Sequence, residues 1–199
     1  MDLKQFYQEI KDCQKCPLAG SRTQIVFGEG CPDARIMFVG EAPGFHEDQQ
    51  GKPFVGAAGK LLTELLQTIG LSRDEVYIAN VLKCRPPDNR NPAPDEIESC
   101  LPHLRKQIEL IKPKVVCTLG NFATQVLLGK KVGITKIRGQ YFQVQNFFVF
   151  PALHPAVALH QGGMRQALQE DFQNLKKFLD LNLEPDPPQA DQPEQMGLL

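Results

Sequence analysis

The sequence predicts an α/β fold with a central, mainly parallel four-stranded sheet covered by helices on both faces. Two observations predict it. Short apolar runs recur at residues 35–40, 76–82 and 115–120, the pattern of strands buried on both faces. Between them lie stretches whose apolar residues keep helical spacing. Strands alternating with helices are what a parallel sheet with crossover connections requires.

The elements follow in order. Leu3, Phe6, Tyr7 and Ile10 mark a short amphipathic helix ahead of Cys13 and Cys16. Arg35-Ile36-Met37-Phe38-Val39-Gly40 is the first strand, and a Gly- and Pro-rich loop runs on from Glu41 to about Gly56. Leu61, Leu62, Leu65, Leu66 and Ile69 mark a helix that Gly70 closes. Residues 76–82 form the second strand, followed by a proline-rich loop to Pro94 and a helix through Ile97, Leu101, Leu104, Ile108 and Ile111. Residues 115–120 are the third strand and 122–128 its helix. Residues 141–144 and 147–150 read as two short strands around a turn, and Leu168, Phe172, Leu175, Phe178 and Leu179 line a final helix. Loops leaving the C-terminal ends of parallel strands build the site in such sheets. Those after Gly40, Leu82 and Phe150 are the ones to inspect.

A chain of 199 residues, 42% hydrophobic and 23% charged, suits one compact domain with a core. It has no apolar run near the ~20 residues of a membrane helix. Its start, Met1-Asp2-Leu3-Lys4, lacks a secretory pattern, so a cytoplasmic protein with no membrane partner is expected. The net charge of −1 conceals five acids and no Lys or Arg in residues 180–199, which leaves 22 basic against 18 acidic residues for the body. That surplus neither makes nor excludes DNA as a partner. The tail has four prolines and few large apolar residues. A domain of residues 1–180 with a disordered tail, 181–199, is expected.

The six cysteines divide by spacing. Cys13-Gln14-Lys15-Cys16 is a C-x-x-C pair, and Cys84 and Cys100 bracket the second loop with 15 residues between them. A cytosolic chain keeps its thiols reduced, which argues against disulfides. Four thiolates could hold zinc or an iron–sulfur cluster, and ligand softness does not separate the two. Cys117 lies within an apolar strand and Cys31 has no partner at a ligand spacing, so both read as small buried hydrophobes.

Polar residues gather at the same sheet edge. Gly40-Glu41-Ala42-Pro43-Gly44 sets a carboxylate among small residues, where a ligand can approach the backbone closely. Glu47, Asp48 and Phe54 follow in that loop. Leu153-His154-Pro155-Ala156 follows the last strands, which makes His154 a candidate acid or electrostatic partner of Glu41. Asn80 stands near a strand end, where an amide either satisfies the backbone or reads a ligand.

In combination these residues resemble the family 4 uracil-DNA glycosylases, which carry a four-iron, four-sulfur cluster. The resemblance covers roughly residues 3–179. It rests on Cys13-x-x-Cys16, Gly28-Glu29-Gly30, Gly40-Glu41-Ala42-Pro43-Gly44, Lys52-Pro53-Phe54-Val55-Gly56, Asn80, Lys83-Cys84-Arg85-Pro86-Pro87, Cys100 and His154-Pro155-Ala156. It implies a three-layer α/β/α sandwich and a [4Fe–4S] cluster held by Cys13, Cys16, Cys84 and Cys100, bracing two loops. It also implies a monofunctional hydrolase of base excision repair that releases uracil from DNA and leaves an abasic site; a monomer is expected. The target nucleotide must leave the duplex stack to be reached. In the implied site Gly40, Glu41, Ala42, Glu47, Phe54, Asn80 and His154 receive the substrate. Phe54 stacks on uracil, and the Asn80 amide accepts from N3–H and donates to O4. Cytosine reverses both groups and would leave that amide unpaired. Glu41 and His154 are the implied catalytic pair, Glu41 positioning water and His154 meeting negative charge on uracil O2. Glu47 is the candidate to crowd C5 against thymine, and Lys83, Arg85, Arg90 and Arg165 are candidate phosphate contacts.

The chain departs from the family after His154-Pro155-Ala156. Val157-Ala158 replaces a bulkier pair, and His160-Gln161-Gly162-Gly163 precede Met164 and Arg165, which leaves the base-stack wedge unassigned. No basic, His-containing insertion follows Gly129 as in relatives that crosslink to DNA, so ordinary turnover is expected. Glu41 separates the chain from relatives with an apolar residue there. A metal-stabilised nucleotide- or DNA-binding module and an iron–sulfur electron carrier also fit the cysteines, but Glu41, Asn80 and His154 together favour the enzyme. The chain ends Gln195-Met196-Gly197-Leu198-Leu199, similar to peptides that dock on the bacterial sliding clamp, at the end of a flexible tether.

Overall fold

The computed structural model describes residues 1–187 and is a three-layer α/β/α sandwich built on one mixed sheet of six strands. These are β1 (Glu29–Gly30), β2 (Ile36–Gly40), β3 (Tyr77–Asn80), β4 (Val115–Leu119), β5 (Phe142–Val144) and β6 (Phe147–Ala152), in spatial order β1-β3-β2-β4-β6-β5. The four inner strands are parallel, with Gly40 opposite Asn80, Val39 opposite Thr118 and Leu119 opposite Ala152. The expected four-stranded sheet is thus the centre, and the strand count is corrected to six by an antiparallel strand at each edge. β1 escapes pattern reading because two residues carry no alternation. Its Gly30, at φ +129°, passes so near Val76 that a Cβ would lie 1.9 Å from that carbonyl oxygen.

The helices are α1 (Leu3–Ile10), α2 (Phe45–Gln50), α3 (Ala57–Thr68), α4 (Pro94–Ile111), α5 (Asn121–Leu128), α6 (Ile134–Ile137), α7 (Pro155–His160) and α8 (Gly163–Asp180). Because strand side chains alternate, each inner strand feeds two cores. Phe38, Ile78, Cys117 and Phe150 meet Leu62 and Leu66 of α3 and Leu168 and Phe172 of α8. Met37, Ala79, Val116 and Val149 meet Leu101 and Leu104 of α4 and Val126 and Leu127 of α5. Phe38 and Phe172, both fully buried, stack at 5.9 Å; truncating either to Ala would cost about 3–5 kcal/mol. A third cluster joins Phe6 and Ile10 of α1 to Phe27, Leu82, Cys84 and Cys100. The short helices α2, α6 and α7, at six residues or fewer, are too brief for a helical period to show in sequence.

Residues just past α8 touch the body, where Arg35 donates to the Asn182 side chain and Gln143 to the Asp186 carbonyl. The clamp-like end from Gln195 to Leu199 lies outside the described residues. No helix among the described residues is long and apolar enough to cross a membrane.

Candidate functional site

The C-terminal ends of β2, β3 and β6 open onto one cleft of about 370 Å³. Glu41, Ala42, Glu47, Phe54, Asn80 and His154 all line it. Gly40 stands directly behind them. A Cβ there would lie 2.5 Å from Asn80 Oδ1 and 2.7 Å from Phe54 Cζ, so the missing side chain is what lets amide and ring lie together. Asn80 ends β3 and is 2% exposed, a buried amide that must find hydrogen-bond partners.

His154 is the N-cap of α7, and its Nδ1 accepts from Ala156 N at 3.1 Å. An accepting Nδ1 puts the ring hydrogen on Nε2. Burial pushes the imidazole down to about 4, against a weaker opposing pull from Glu47, so the ring is neutral at pH 7. The Phe54 and His154 rings are 5.8 Å apart. One residue upstream, Leu153 N donates to the buried carboxylate of Asp171 at 2.9 Å, and Arg138 holds that carboxylate from the other side. Asp171 and Arg138 carried no signal in the sequence, because α8 and the turn before β5 meet the end of β6 at Leu153 only through the fold.

Glu47 has a structural partner set: its Oε1 accepts from Val55 N and Gly56 N, both at 2.9 Å. Burial raises the Glu41 carboxyl above its ordinary value. Of the candidate phosphate contacts, Arg90 reaches the cleft but donates to both carboxylate oxygens of Glu96. Arg85 lies over the exposed Phe45 ring at 5.1 Å, and Arg165 pairs with Glu64 on the surface.

Lys83 is corrected from a phosphate contact to a buried strut. It is 1% exposed, and its Nζ donates to Asn80 O at 2.8 Å and to Gln107 Oε1 at 2.6 Å. A loop lysine is ordinarily solvated; this one turns inward because the chain dives toward Cys84, placing its own N–H on Cys100 Sγ at 3.2 Å.

Cys13, Cys16, Cys84 and Cys100 line a second, narrow pocket. Arg22 donates to Cys84 Sγ at 3.4 Å and to Cys13 O at 2.7 Å, and His103 Nε2 is 3.5 Å from Cys13 Sγ. Burial pushes the Cys100 thiol up to about 12, opposed by Lys83, and raises Cys84, opposed by Arg22. Burial disfavours the thiolate forms of Cys84 and Cys100, and Arg22 and Lys83 offset part of that cost. Among the described residues no three His, Cys, Asp or Glu side chains form a group that could hold a metal ion; the four thiols line one pocket together. Cys117 is fully buried in β4, and Cys31 packs against the other core.

The family model of the Uracil DNA glycosylase superfamily matches residues 27–179. A "Type-4 uracil-DNA glycosylase" of Sulfurisphaera tokodaii is 48% identical over 185 residues, covering 88% of this chain and 84% of that one. A protein of the same description from Saccharolobus solfataricus is 48% identical over 180 residues, 86% and 83% of the two chains. Another from Thermotoga maritima is 47% identical over 176 residues, 86% and 92% of the two chains.

Proposed function

The chain belongs to the type-4 uracil-DNA glycosylases of the Uracil DNA glycosylase superfamily, and from that premise we propose how its residues remove uracil from DNA. The reaction is hydrolysis of the N-glycosidic bond of deoxyuridine, a step of DNA repair that releases uracil and leaves an abasic site. The observation that carries the reading is that a flat ring, a buried amide and a neutral imidazole share one cleft.

The flipped uracil enters the cleft and stacks on Phe54. Asn80 takes the N3–H and supplies a hydrogen to O4, with Lys83 on its carbonyl fixing the strand end. As the glycosidic bond breaks, its electron pair passes into the uracil ring and charge grows on O2. The His154 Nε2–H donates to that oxygen while the ring stays neutral. Preorganised donors of this kind contribute about 10²–10³ in rate. The Glu41 carboxylate faces the developing sugar cation and orients the water whose hydroxyl joins the sugar carbon; the water's proton passes through Glu41 and solvent to the departing uracil anion. Glu47, held by the Val55 and Gly56 N–H groups, is the wall a C5 methyl would strike.

Cys13, Cys16, Cys84 and Cys100 would hold a [4Fe–4S] cluster, which would tie the N-terminal segment to the loop after β3 and to α4 and would supply no step of the hydrolysis. A monomeric, cytoplasmic enzyme, with a domain of residues 1–180 and a clamp-docking end from Gln195 to Leu199, completes the proposal. Titrating the bacterial clamp with a peptide of residues 191–199 tests that end: binding that survives Ala at Gln195, Leu198 and Leu199 refutes it. The activity is tested with an oligonucleotide bearing one uracil, treated with alkali after incubation. Strand scission at uracil without added divalent metal, and none in a thymine control, is expected; an uncut uracil strand at equimolar enzyme overturns the reading.

A further inference from the structure

We propose that Arg73, set by Glu29, is the positioning residue that holds Phe54 in the backbone conformation the cleft requires; this rests on reading Phe54 as the ring that stacks on uracil.

Phe54 has φ +52°, a left-handed conformation that a bulky residue keeps only when its surroundings enforce it. Three contacts supply that force. The Arg73 guanidinium donates through Nη1 to Phe54 O at 3.2 Å and through Nη2 to Pro53 O at 2.9 Å, one fork across two successive carbonyls. From the opposite side, Glu47 accepts from the next two amides, Val55 and Gly56. Beneath, Gly59 leaves the space the Phe54 carbonyl fills, since a Cβ at 59 would lie 1.8 Å from that oxygen. Three consecutive peptide units are therefore gripped, and the side chain they carry reaches the cleft.

Arg73 does not line the cleft, so it acts only through this backbone. Its carboxylate neighbour is Glu29 at 3.9 Å, which also pairs with Lys52 at 2.7 Å. Exposed pairs of this kind add little stability; their geometry is the informative part. Glu29 lies on β1, and β1 pairs with β3 through Glu29–Ile78 and Gly30–Tyr77. β3 is the strand that ends in Asn80. The Gly28-Glu29-Gly30 segment thus gauges the Phe54 loop against the strand that carries the base-reading amide, a task that the mechanism left unassigned.

The test uses the full-length holoenzyme with Arg73→Met, Arg73→Lys, Glu29→Gln, Phe54→Ala and the Arg73→Met/Phe54→Ala double variant. Three quantities are measured: the inhibition constant of free uracil, single-turnover rates against enzyme concentration, and the thermal midpoint. Arg73→Met is expected to weaken free uracil about tenfold, a share of what a base–aromatic stack contributes, with the saturating single-turnover rate nearly unchanged. Arg73→Lys recovers part of the loss, and Glu29→Gln loses about threefold. In the Phe54→Ala background Arg73→Met should add nothing, because both changes remove one interaction. Wild-type uracil affinity in Arg73→Met, or a lowered thermal midpoint with unchanged affinity, overturns the Arg73 proposal. Wild-type affinity in Phe54→Ala overturns the stacking reading instead, so the two failures are distinguishable.

Discussion

The cleft at the sheet edge and the cysteine pocket are joined by one short stretch, Asn80 to Cys84, yet they are built by opposite means. Two groups that line the cleft are kept neutral. His154 is pushed down to about 4 by burial, and Asn80 is an uncharged amide made to fit by the missing side chain of Gly40. The cavity relies on charge. Its thiols are pushed up, Cys100 to about 12, and two cations, Lys83 and Arg22, stand against them. A neutral site can be fully preorganised by packing alone, whereas clustered thiolates require a positive partner before they are stable. The histidine side of the cleft should therefore be insensitive to moderate changes in pH, whereas the four thiols are expected to need a metal.

The largest effect that would break this contrast lies in the cavity. Cys84→Ser and Cys100→Ser should lose iron and most of the folding stability, since metal and fold are linked. Cys31→Ser and Cys117→Ser should keep the metal. Wild-type protein purified anaerobically should be brown, with about four irons per chain. Stoichiometric zinc in their place would remove the cluster from the account.

Next comes the cleft. His154→Ala should slow single-turnover excision about 10²–10³-fold with the fold intact, as measured by quenched-flow and thermal melting. Glu41→Ala and Asn80→Ala should also slow it. If all three variants kept the wild-type rate, the reaction would not occur in this cleft.

A smaller effect tests the link between the two regions. Lys83→Met leaves Asn80 O and Gln107 Oε1 without their donor, at a cost of about 1–3 kcal/mol in urea unfolding. Because Asn80 loses its brace, the preference for uracil over cytosine should narrow as well. Reduced stability with undiminished preference would show that Lys83 serves the cysteine loop alone.

The smallest effect is the pH response of the cleft. Since His154 is neutral down to about 4, its protonation should take nothing from the single-turnover rate between pH 8 and pH 5, and any fall toward the acid end belongs to the Glu41 carboxyl, which burial raises. A histidine needed as a base at its ordinary value would instead fail near 6.5. Stability behaves differently. With the folded value depressed, the His154 contribution is complete above 6.5 and is lost as pH falls toward 4, because the unfolded chain binds the proton first. The loss is about 1.4 kcal/mol for each pH unit in that window, readable from urea midpoints of wild type against His154→Gln.

Legibility followed the physics of each element. The inner strands and long helices could be read because their burial imposes apolar runs and helical periods. β1, α2 and α7 could not, because they have six residues or fewer, too few for a period to show. Glu41, Asn80 and His154 stood out by type and by place at strand ends, and the cleft does gather them. Lys83 was misplaced at the surface because nothing local distinguishes a solvated lysine from one facing a buried Gln107.

The sequence by itself determined the layered α/β class, the sheet edge where polar residues collect and the four cysteines suited to a metal. Each of these is written in local pattern or in side-chain chemistry. Only the tertiary structure decided the two antiparallel edge strands, the tautomer of His154, the inward course of Lys83 and the grip of Arg73 on Phe54. Those depend on contacts between residues far apart in the chain. Such contacts are set by how the layers close on one another, and no short window of sequence contains that information.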